Sequence, residues 1–350
     1  MSRWRYFLKR LALSIPVLFL VMTFLFVMLR LGPLDPIAAR FGPEGPAQDA
    51  ERMRETLGLN DPLWEQYINF VRDLLMFQGQ SWVVQPDRQV TAVIRDTAPP
   101  TIWLGFWAIL LPLFIGLPLG LYAGLHPNTW SDYIASVGGI LWLAMPNFWL
   151  GIMLLAILRQ TQGGGWLGFD WYALGPELRS ITGTPSLDWY STTEVVVVPV
   201  VTGIDWGALG SDIKLILPPA LVLGSASMAV ELRIGRTAIL ETIKSNYIMT
   251  AKAKGVKSRV IVWKHAFRNA LIPLVPVITN EATLLIGGSV IIETIFNING
   301  LGRTFFLAAE QGDLPLAGSL LFMFTLLIIF LNIFQDFLYT IIDPRVGYKR

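Results

Sequence analysis

The chain has 350 residues, of which 53% are hydrophobic and 15% are charged, and its formal net charge is only +2. With a mean hydropathy of +0.54, this composition is typical of polytopic membrane proteins. The near balance of charge gives no support to nucleic-acid binding. The chain has no cysteine, which excludes disulfides and thiol chemistry, and its two histidines are too few for a histidine-rich metal site. We therefore expect no metal site.

Six stretches are apolar and long enough to cross a membrane as helices, which takes about 20 residues. They cover residues 11–31, 101–125, 133–158, 213–235, 271–292 and 316–341. The basic N-terminus resembles a signal peptide, but the apolar run behind it is long enough to span and no small-residue cleavage site follows. We interpret this run as a retained first transmembrane helix.

Proline and glycine mark several of these predicted spans. The third contains Pro146 and the fourth contains Pro218 and Pro219, which membrane helices tolerate where neighbouring groups satisfy the freed carbonyls. Small residues let helix backbones approach closely. We therefore expect the spans to pack against one another at three glycine pairs: Gly116 and Gly120, Gly138 and Gly139, and Gly287 and Gly288.

The lysines predict how the chain is oriented. Seven of the eight, all except Lys214, fall in segments that lie inside the cell if the N-terminus is cytoplasmic. We predict an all-α polytopic fold with six transmembrane helices and both termini cytoplasmic. Its parts are the N-terminal tail and helix 1 (1–31), an outer segment (32–100), helices 2 and 3 (101–158), an outer insertion (159–212), and helices 4 to 6 (213–350) with a cytoplasmic loop (237–270).

The two outer segments differ in character. The first contains a polar helical stretch at 48–57 and an amphipathic one at 62–77, whose apolar residues recur at helical spacing and need a partner surface. The second, 159–212, is rich in glycine and aromatic residues and includes the β-branched run Val195–Val198. It is either a small strand-bearing cap or a loop with aromatic side chains at the membrane interface.

The cytoplasmic loop is the longest strongly basic stretch, with six cations and no acid between Ser245 and Pro273. Its first part, about 246–254, favours a helix. Gly255 suits a left-handed cap, Ser258 can cap a second helix, and Pro273 should end or kink that helix. Two interpretations are open: a short rigid element that binds a cytosolic partner, or an interfacial segment attracted to anionic lipid.

Two strings in this loop, NYIMTAKAKG and HAFRNALIP, resemble the loop of ATP-binding cassette importer permeases. The match is to the dipeptide/oligopeptide and nickel permease family, and within it to the first, B-type, subunit. That family carries an E-A-A-x-x-x-G type motif, written in peptide permeases as Y-V-R-T-A-R-A-K-G. Met249 and Lys252 stand where the family usually has arginine. The matching residues are Tyr247, Thr250, Ala251, Ala253, Lys254 and Gly255.

The resemblance continues along almost the whole chain, except for the insertion at 159–212. Strings similar to those of the family occur in the same order, namely RLALSIPVLFLVMTFLFVMLRLGPLDP, LGLNDPLWEQYINFVRDLL, GLPLGLYAG, MPNFWLGIMLL, ETIFNINGLGR and DFLYTIIDPRVGY. Their order and spacing make the match specific.

The resemblance implies a permease subunit of an importer for di- or oligopeptides. The chain has no Walker-type phosphate loop, so ATP with Mg would be used by separate ATPase subunits, and this chain would be no enzyme and bind no cofactor. The first helix of the loop would sit in a cleft of the ATPase. The implied partners are a second homologous permease, two ATPase subunits, an external substrate-binding protein and the lipid of a prokaryotic cell membrane.

Other functions remain as alternatives. Within the same family the substrate could be a nickel chelate, glutathione or an oligosaccharide. A self-sufficient secondary transporter or channel would instead show inverted repeats and broken helices around a midplane site, and we find no repeat. An intramembrane enzyme is excluded, because the chain offers no nucleophile–base or metal constellation.

Polar residues within the predicted spans are candidates for the translocation path, because intramembrane acids are costly and normally face a bundle interior or a water-filled route. In the sixth span, residues 332, 335, 336 and 339 share one helical face. The alternative is hydrogen bonding between helices, or a salt bridge to Arg233 or Arg236. The candidates are Asn280, Glu281, Asn332 and Asp336.

Overall fold

A computed structural model describes residues 3–32, 35–42, 46–165, 168–173, 181–195, 198–277, 279, 281 and 289–342. These residues are mostly helical, as the sequence predicts. The chain divides into two compact units. The first comprises residues 1–99 and 299–333, and the second comprises residues 100–298 and 334–350.

The described residues include fifteen α-helices, a two-stranded hairpin and four short 3-10 or π turns, and residues 275–277, 279 and 281 are also helical. The helices are α1 (Arg3–Leu31), α2 (Pro36–Phe41), α3 (Ala47–Thr56), α4 (Leu63–Met76), α5 (Val90–Leu111), α6 (Leu117–Leu125), α7 (Trp130–Leu143), α8 (Asn147–Arg159), α9 (Trp206–Ile243), α10 (Asn246–Ala253), α11 (Ser258–Val260), α12 (Phe267–Ala270), α13 (Ser289–Ile295), α14 (Leu301–Glu310) and α15 (Leu314–Ile342). The strands are β1 (Tyr190–Val195) and β2 (Val198–Ile204).

Four helical segments of the described chain are long and apolar enough to cross a membrane: Ala12–Leu31, Val90–Leu125, Trp206–Ile243 and Leu314–Leu338. They correspond to the predicted first, second, fourth and sixth spans. The second is α5 and α6 joined by a π turn at Pro112–Gly116. Nine of the 22 residues of the predicted fifth span, 271–292, lie outside the described residues. The protein is therefore a polytopic membrane protein, as predicted.

The predicted third span is a bent pair of helices rather than one helix. Helices α7 and α8 meet at 96° and qualify as a fifth crossing only if they form one broken span. Pro146 explains the break, because a proline disfavours helical geometry at the residue before it and is itself extended here, with ψ 136°. Pro218 and Pro219, in contrast, lie buried inside the continuous 38-residue helix α9.

The first unit supplies the partner surface that the amphipathic stretch at 62–77 requires. Helix α4 packs its buried Phe70 against Phe26 of α1, with ring centroids 5.6 Å apart, and Tyr67 also meets Phe26 at 5.3 Å. Gly318 of α15 lies against the Phe70 ring, so close that a Cβ there would approach to 2.5 Å. The predicted helices at 48–57 and 62–77 are confirmed as α3 and α4.

A buried carboxylate organises the turn that precedes α5. Asp313 Oδ2 accepts hydrogen bonds from the Ser81 hydroxyl at 2.5 Å and from the amides of Trp82, Val83 and Val84 at 3.0–3.1 Å. Asp313 is completely buried. One side chain thus satisfies four donors of a turn that lies 229 or more residues away in sequence.

In the second unit, a glycine stripe on the π turn and α6 brings α9 close. A Cβ on Gly116 would lie 2.7 Å from the Met228 carbonyl oxygen, and one on Gly124 would lie 2.5 Å from that of Arg236. Gly120, midway between them, is tighter still. The predicted close packing at Gly116 and Gly120 is confirmed. At the second pair, a Cβ on Gly138 would meet no described atom within 4 Å, and one on Gly139 would lie 3.8 Å from the Ala229 carbonyl oxygen, which is ordinary contact. Gly287 and Gly288 lie outside the described residues.

The insertion at 159–212 contains strands, as one of the two interpretations predicts. Strands β1 and β2 pair antiparallel, with Tyr190 opposite Ile204 and Val195 opposite Val198. Val195 and Val198, the two ends of the β-branched run, form the last described pair of the hairpin, and residues 196 and 197 lie outside the described part. Asp212 of α9 anchors the segment before β1 by accepting from the Leu187 amide at 2.8 Å.

Helix α5 begins eleven residues before the predicted second span. Val90 and Val93 are almost completely buried, at 1% and 0% exposure. Packing therefore supports a helix over residues 90–100, which hydropathy alone does not include in the span. The predicted outer segment, 32–100, therefore includes the start of α5.

Candidate coupling surface and membrane cavity

The first helix of the cytoplasmic loop, α10, is fixed to the rest of the second unit by its inner face. Ile248 is completely buried. It joins a cluster that includes Ala238 and Ile239 of α9 and the two ends of a π turn in the second half of the loop, Ile261 and Ala266. Because interiors are packed as densely as organic crystals, this contact leaves α10 little freedom to move independently of α9.

The outer face of α10 carries most of the residues that match the permease motif. Tyr247 is 44% exposed and Met249 is 54% exposed. Ala251 is the exception, because it packs against the cluster around Ile248. Ala251 lies three residues after Ile248 on a neighbouring part of the helix surface and is partly exposed, so its contact with a partner stays a prediction. The exposed matching residues are Tyr247, Thr250, Ala253, Lys254 and Gly255; we call these five the coupling face.

Gly255 adopts the left-handed conformation that the sequence predicts, with φ +73°. The turn around it is closed by hydrogen bonds from the Gly255 amide to the Lys252 carbonyl at 3.0 Å and from the Val256 amide to the Ala251 carbonyl at 3.2 Å. A Cβ at Gly255 would meet no described atom within 4 Å, so the constraint on this position comes from its backbone angles.

The predicted cap at Ser258 is wrong by one residue. Ser258 is the first residue of α11, and Lys257 occupies the capping position without a side-chain hydrogen bond. A lysine side chain has no acceptor to offer the free amides. Helices α11 and α12 are joined by a π turn at Ile261–Ala266, and a 3-10 turn at Ile272–Leu274 follows α12, so regular α-helix ends before Pro273 as predicted.

A side-chain hydrogen bond joins the two halves of the loop. The Asn269 side-chain amide donates to the Tyr247 hydroxyl at 2.9 Å and to the His265 carbonyl at 2.9 Å. Tyr247 belongs to the string NYIMTAKAKG, whereas His265 and Asn269 belong to HAFRNALIP. The two matching strings are therefore joined by hydrogen bonds, one of which is accepted by the His265 carbonyl.

Within the second unit, a cavity of about 550 Å³ lies beside α9. Apolar side chains such as Leu223, Val230 and Ile234 form most of its wall. Leu143, the last residue of α7, and Asn147, the first of α8, both line it, so the break between these helices lies at the cavity. The volume is within the range of about 300–1,000 Å³ found for small-molecule sites.

Polar groups at this cavity converge from α9 and the predicted fifth span. Glu281 lines the cavity and is only 3% exposed. The Ser227 hydroxyl lies within hydrogen-bonding reach of its carboxylate, and Glu231, one helical turn beyond Ser227, is near enough to Glu281 for the two carboxylates to interact. Glu231 is completely buried, and neither of its oxygens has a hydrogen-bond partner among the described residues.

The arginines considered as salt-bridge partners for these acids have other surroundings. Arg236 forms a bidentate pair with Asp132, in which its Nη2 lies 2.9 Å from Oδ2 and its Nε contacts Oδ1. Asp132 also accepts from the Asn128 amide at 3.0 Å. Arg233 is exposed. The proposed salt bridge from Arg236 to a mid-span acid is therefore replaced by one to Asp132, at the start of α7.

Of the other predicted path residues, Asn332 and Asp336 are not among the described residues that line this cavity. Asn280 lies outside the described residues. Asn332 is exposed and belongs to the first unit, where its carbonyl accepts from Arg10 at 3.2 Å. Asp336, in the second unit, is 9% exposed and is not among the described residues that line the cavity.

Sequence reasoning missed Glu231. It lies within the predicted fourth span and follows Ser227 by four residues, so the two share a helical face. That spacing was a usable signal, because an acid inside an apolar span is rare and marks a functional or paired position.

Comparison with known proteins covers nearly the whole chain. Residues 116–348 match the family model described as binding-protein-dependent transport system inner membrane component, and residues 3–104 match the model for its N-terminal part. The chain is 32% identical to a dipeptide transport system permease protein DppB of Alkalihalophilus pseudofirmus over 344 residues, which is 98% of this chain and 99% of that protein.

Two further relatives are similar over the same extent. An oligopeptide transport system permease protein AppB of Bacillus subtilis is 30% identical over 343 residues. A glutathione transport system permease protein GsiC of Pectobacterium atrosepticum is 32% identical over 345 residues. Each alignment covers 98% of this chain and 99% of the relative. The chain therefore belongs to the family of inner membrane components of binding-protein-dependent transport systems.

Proposed function

We propose that this chain is a permease subunit of an ATP-binding cassette importer for peptides and that its cytoplasmic loop couples it to separate ATPase subunits. It forms about half of the translocation path, and a second homologous permease forms the rest. Two ATPase subunits use ATP and Mg, and an external binding protein delivers the substrate. The complex works in a prokaryotic cell membrane, and this chain itself hydrolyses nothing.

The observation that carries the coupling role is the close packing of α10 against α9 and the second half of the loop. Its coupling face is exposed, while Ile248 on the opposite face is locked into the cluster with Ile239 of α9. The hydrogen bond between Tyr247 and Asn269 adds a second attachment. A partner that displaces α10 therefore displaces the end of α9, whereas a mobile loop would absorb the movement.

Helix α9 connects the coupling face with the cavity. Ile239 and Glu231 are eight residues apart on α9, a distance of about 12 Å along the helix axis. A nucleotide-driven change at the ATPase can thus reach the Ser227 and Glu281 wall through one uninterrupted element. ATP shifts such an equilibrium only by as much as the ATPase binds one state of the permease better than the other.

The broken pair α7 and α8 is a feature that a self-sufficient secondary transporter would also show at its binding site. Its presence beside the cavity therefore does not separate the two functions. The full-length similarity to permease components favours the importer. Among family substrates, the names of the three relatives favour a dipeptide, an oligopeptide or glutathione over nickel chelates and oligosaccharides.

Two variants of the coupling face test the proposal. Gly255→Val forces a β-branched residue into left-handed geometry, which costs on the order of 1–2 kcal/mol and distorts the turn. Ala253→Trp places a large ring on the exposed face. We expect both to reduce the amount of ATPase subunit that co-purifies with the permease and to abolish ATP-driven peptide uptake in proteoliposomes, while the permease itself remains folded.

The control separates coupling from lipid attraction. Replacing Lys252, Lys257 and Lys264 together with glutamine removes three exposed charges of the loop but leaves every residue of the coupling face in place. If the loop serves anionic lipid, only this triple variant should fail, and its defect should depend strongly on salt. Normal ATPase retention and uptake in both coupling-face variants would refute the coupling role.

A further inference from the structure

We infer that the Glu231–Glu281 pair, together with Ser227, binds the primary ammonium group of a substrate as it passes through the cavity. The inference rests on the proposed function and gives it a substrate chemistry. Its starting point is a site with two buried acids and, among the described residues, no cation to balance them.

The two acids of the site are not balanced by a cation among the described residues. Burying an acid without a partner is costly, which is why intramembrane acids pair with one another or line a substrate route. Arg236 is engaged by Asp132, and Arg233 is exposed. Among the described residues, the groups that interact with the two carboxylates are therefore the Ser227 hydroxyl and the other carboxylate.

The donor and acceptor count fits an ammonium group. An alkylammonium ion has three N–H donors and no acceptor. At the cavity wall the site offers three acceptor atoms, the two oxygens of the Glu281 carboxylate and the oxygen of Ser227, and the Glu231 carboxylate adds negative charge close to them. No cluster of three or more acidic or histidine side chains in the described chain is placed to hold a metal ion, so the donor set favours an organic cation.

The position of the pair gives it access to a substrate. Glu281 and Ser227 line a cavity of about 550 Å³ whose other walls are largely apolar. Glu231 stands behind them and is completely buried. A ligand in the cavity would thus meet one carboxylate directly, and the second would strengthen the local negative potential. Peptides and glutathione carry a primary ammonium group, whereas oligosaccharides of neutral sugars do not.

The test measures protection of Glu281 from a membrane-permeant carbodiimide, using the complete complex in proteoliposomes. The extent of labelling is read by mass spectrometry of the peptide that contains Glu281. The probes are trialanine and glutathione, each compared with its N-acetylated form. At least one free-amine probe should slow labelling by about tenfold, and its acetylated form should have little effect.

Two variants connect the protection with the pair. Glu231→Gln should abolish most of the protection by the free amine, whereas Glu241→Gln, which removes an exposed acid from the same helix, should leave it unchanged. The wild-type comparison stands by itself if Glu231→Gln fails to assemble. Protection that is equal for free and acetylated probes, that is absent for both, or that sodium chloride alone reproduces would overturn the inference.

ATP-driven uptake in the same vesicles distinguishes this result from the proposed function. Peptide uptake without protection by the free amine would refute the ammonium site and leave the importer function intact. An absence of uptake for every peptide and for glutathione would count against the importer function itself.

Discussion

The carboxylate of Asp313 offers the sharpest test of the packing described for the first unit. Asp313→Asn keeps the size of the side chain but removes its negative charge and converts one oxygen to an NH2 group that cannot accept. In the native protein one oxygen accepts from Ser81 and three successive amides, and the other accepts from the Leu316 amide at 3.3 Å. The asparagine oxygen cannot serve both sets.

The magnitude follows from those bonds. A hydrogen bond to a charged group is worth about 1.5–3 kcal/mol, against about 0.5–1.5 kcal/mol for a neutral one. The four bonds share one acceptor and do not add fully. The amides of residues 82–84 are only partly buried and regain water when released. We therefore expect a loss of about 3 kcal/mol in the local stability of the turn.

Hydrogen exchange measured by mass spectrometry gives a direct readout, because exchange rates of protected amides follow the free energy of local opening. A loss of that size should speed exchange in peptides covering residues 79–90 by about 100-fold. Asp87→Asn is the matched control. It lies in the same turn, its side chain is 77% exposed, and asparagine tolerates its positive φ. Acceleration below about threefold in Asp313→Asn would refute the assigned role.

Two other predictions follow from the helix packing and the topology. Gly120→Ala would drive a Cβ into the carbonyl oxygen of Leu232 and should lower the thermal stability of the purified protein, whereas Gly138→Ala, which faces open space within this chain, should not; equal stability of both would contradict the packing. Because the chain has no cysteine, single cysteines report topology: Ser186→Cys should react with a membrane-impermeant reagent in intact cells and Ser258→Cys should not, and the opposite pattern would reverse the orientation.

Hydropathy and motif order were sufficient for the membrane class, the position of most spans and the two helices at 48–57 and 62–77. These features depend on local sequence, which composition and periodicity report directly. The left-handed Gly255 was also predictable, because glycine after a helical stretch is the usual solution for a helix end.

The features that could not be predicted depend on contacts between distant segments. Pro146 and Pro218 look alike in sequence, yet the first breaks a span and the second does not, since the outcome depends on the packing around each. Ala251 matched the family motif, but only the fold shows that it is partly covered by the cluster beneath α10. Glu231 was recognisable in sequence as an acid inside an apolar span, but its nearness to Glu281 became evident only in the fold.

The prolines inside α9 have a mechanical consequence. Pro218 and Pro219 supply no amide hydrogens to the carbonyls one turn earlier, so the 38-residue helix is locally short of two backbone hydrogen bonds and bends there most readily. Glu231 and Ile239 lie about 18 and 30 Å beyond that point along the axis. A bend of only about 10° would move Glu231 sideways by about 3 Å and Ile239, which packs against α10, by about 5 Å. The first displacement is comparable to the diameter of a water molecule. The cavity wall and the cytoplasmic end of α9 can therefore change their contacts together, while the remaining turns of the helix stay formed.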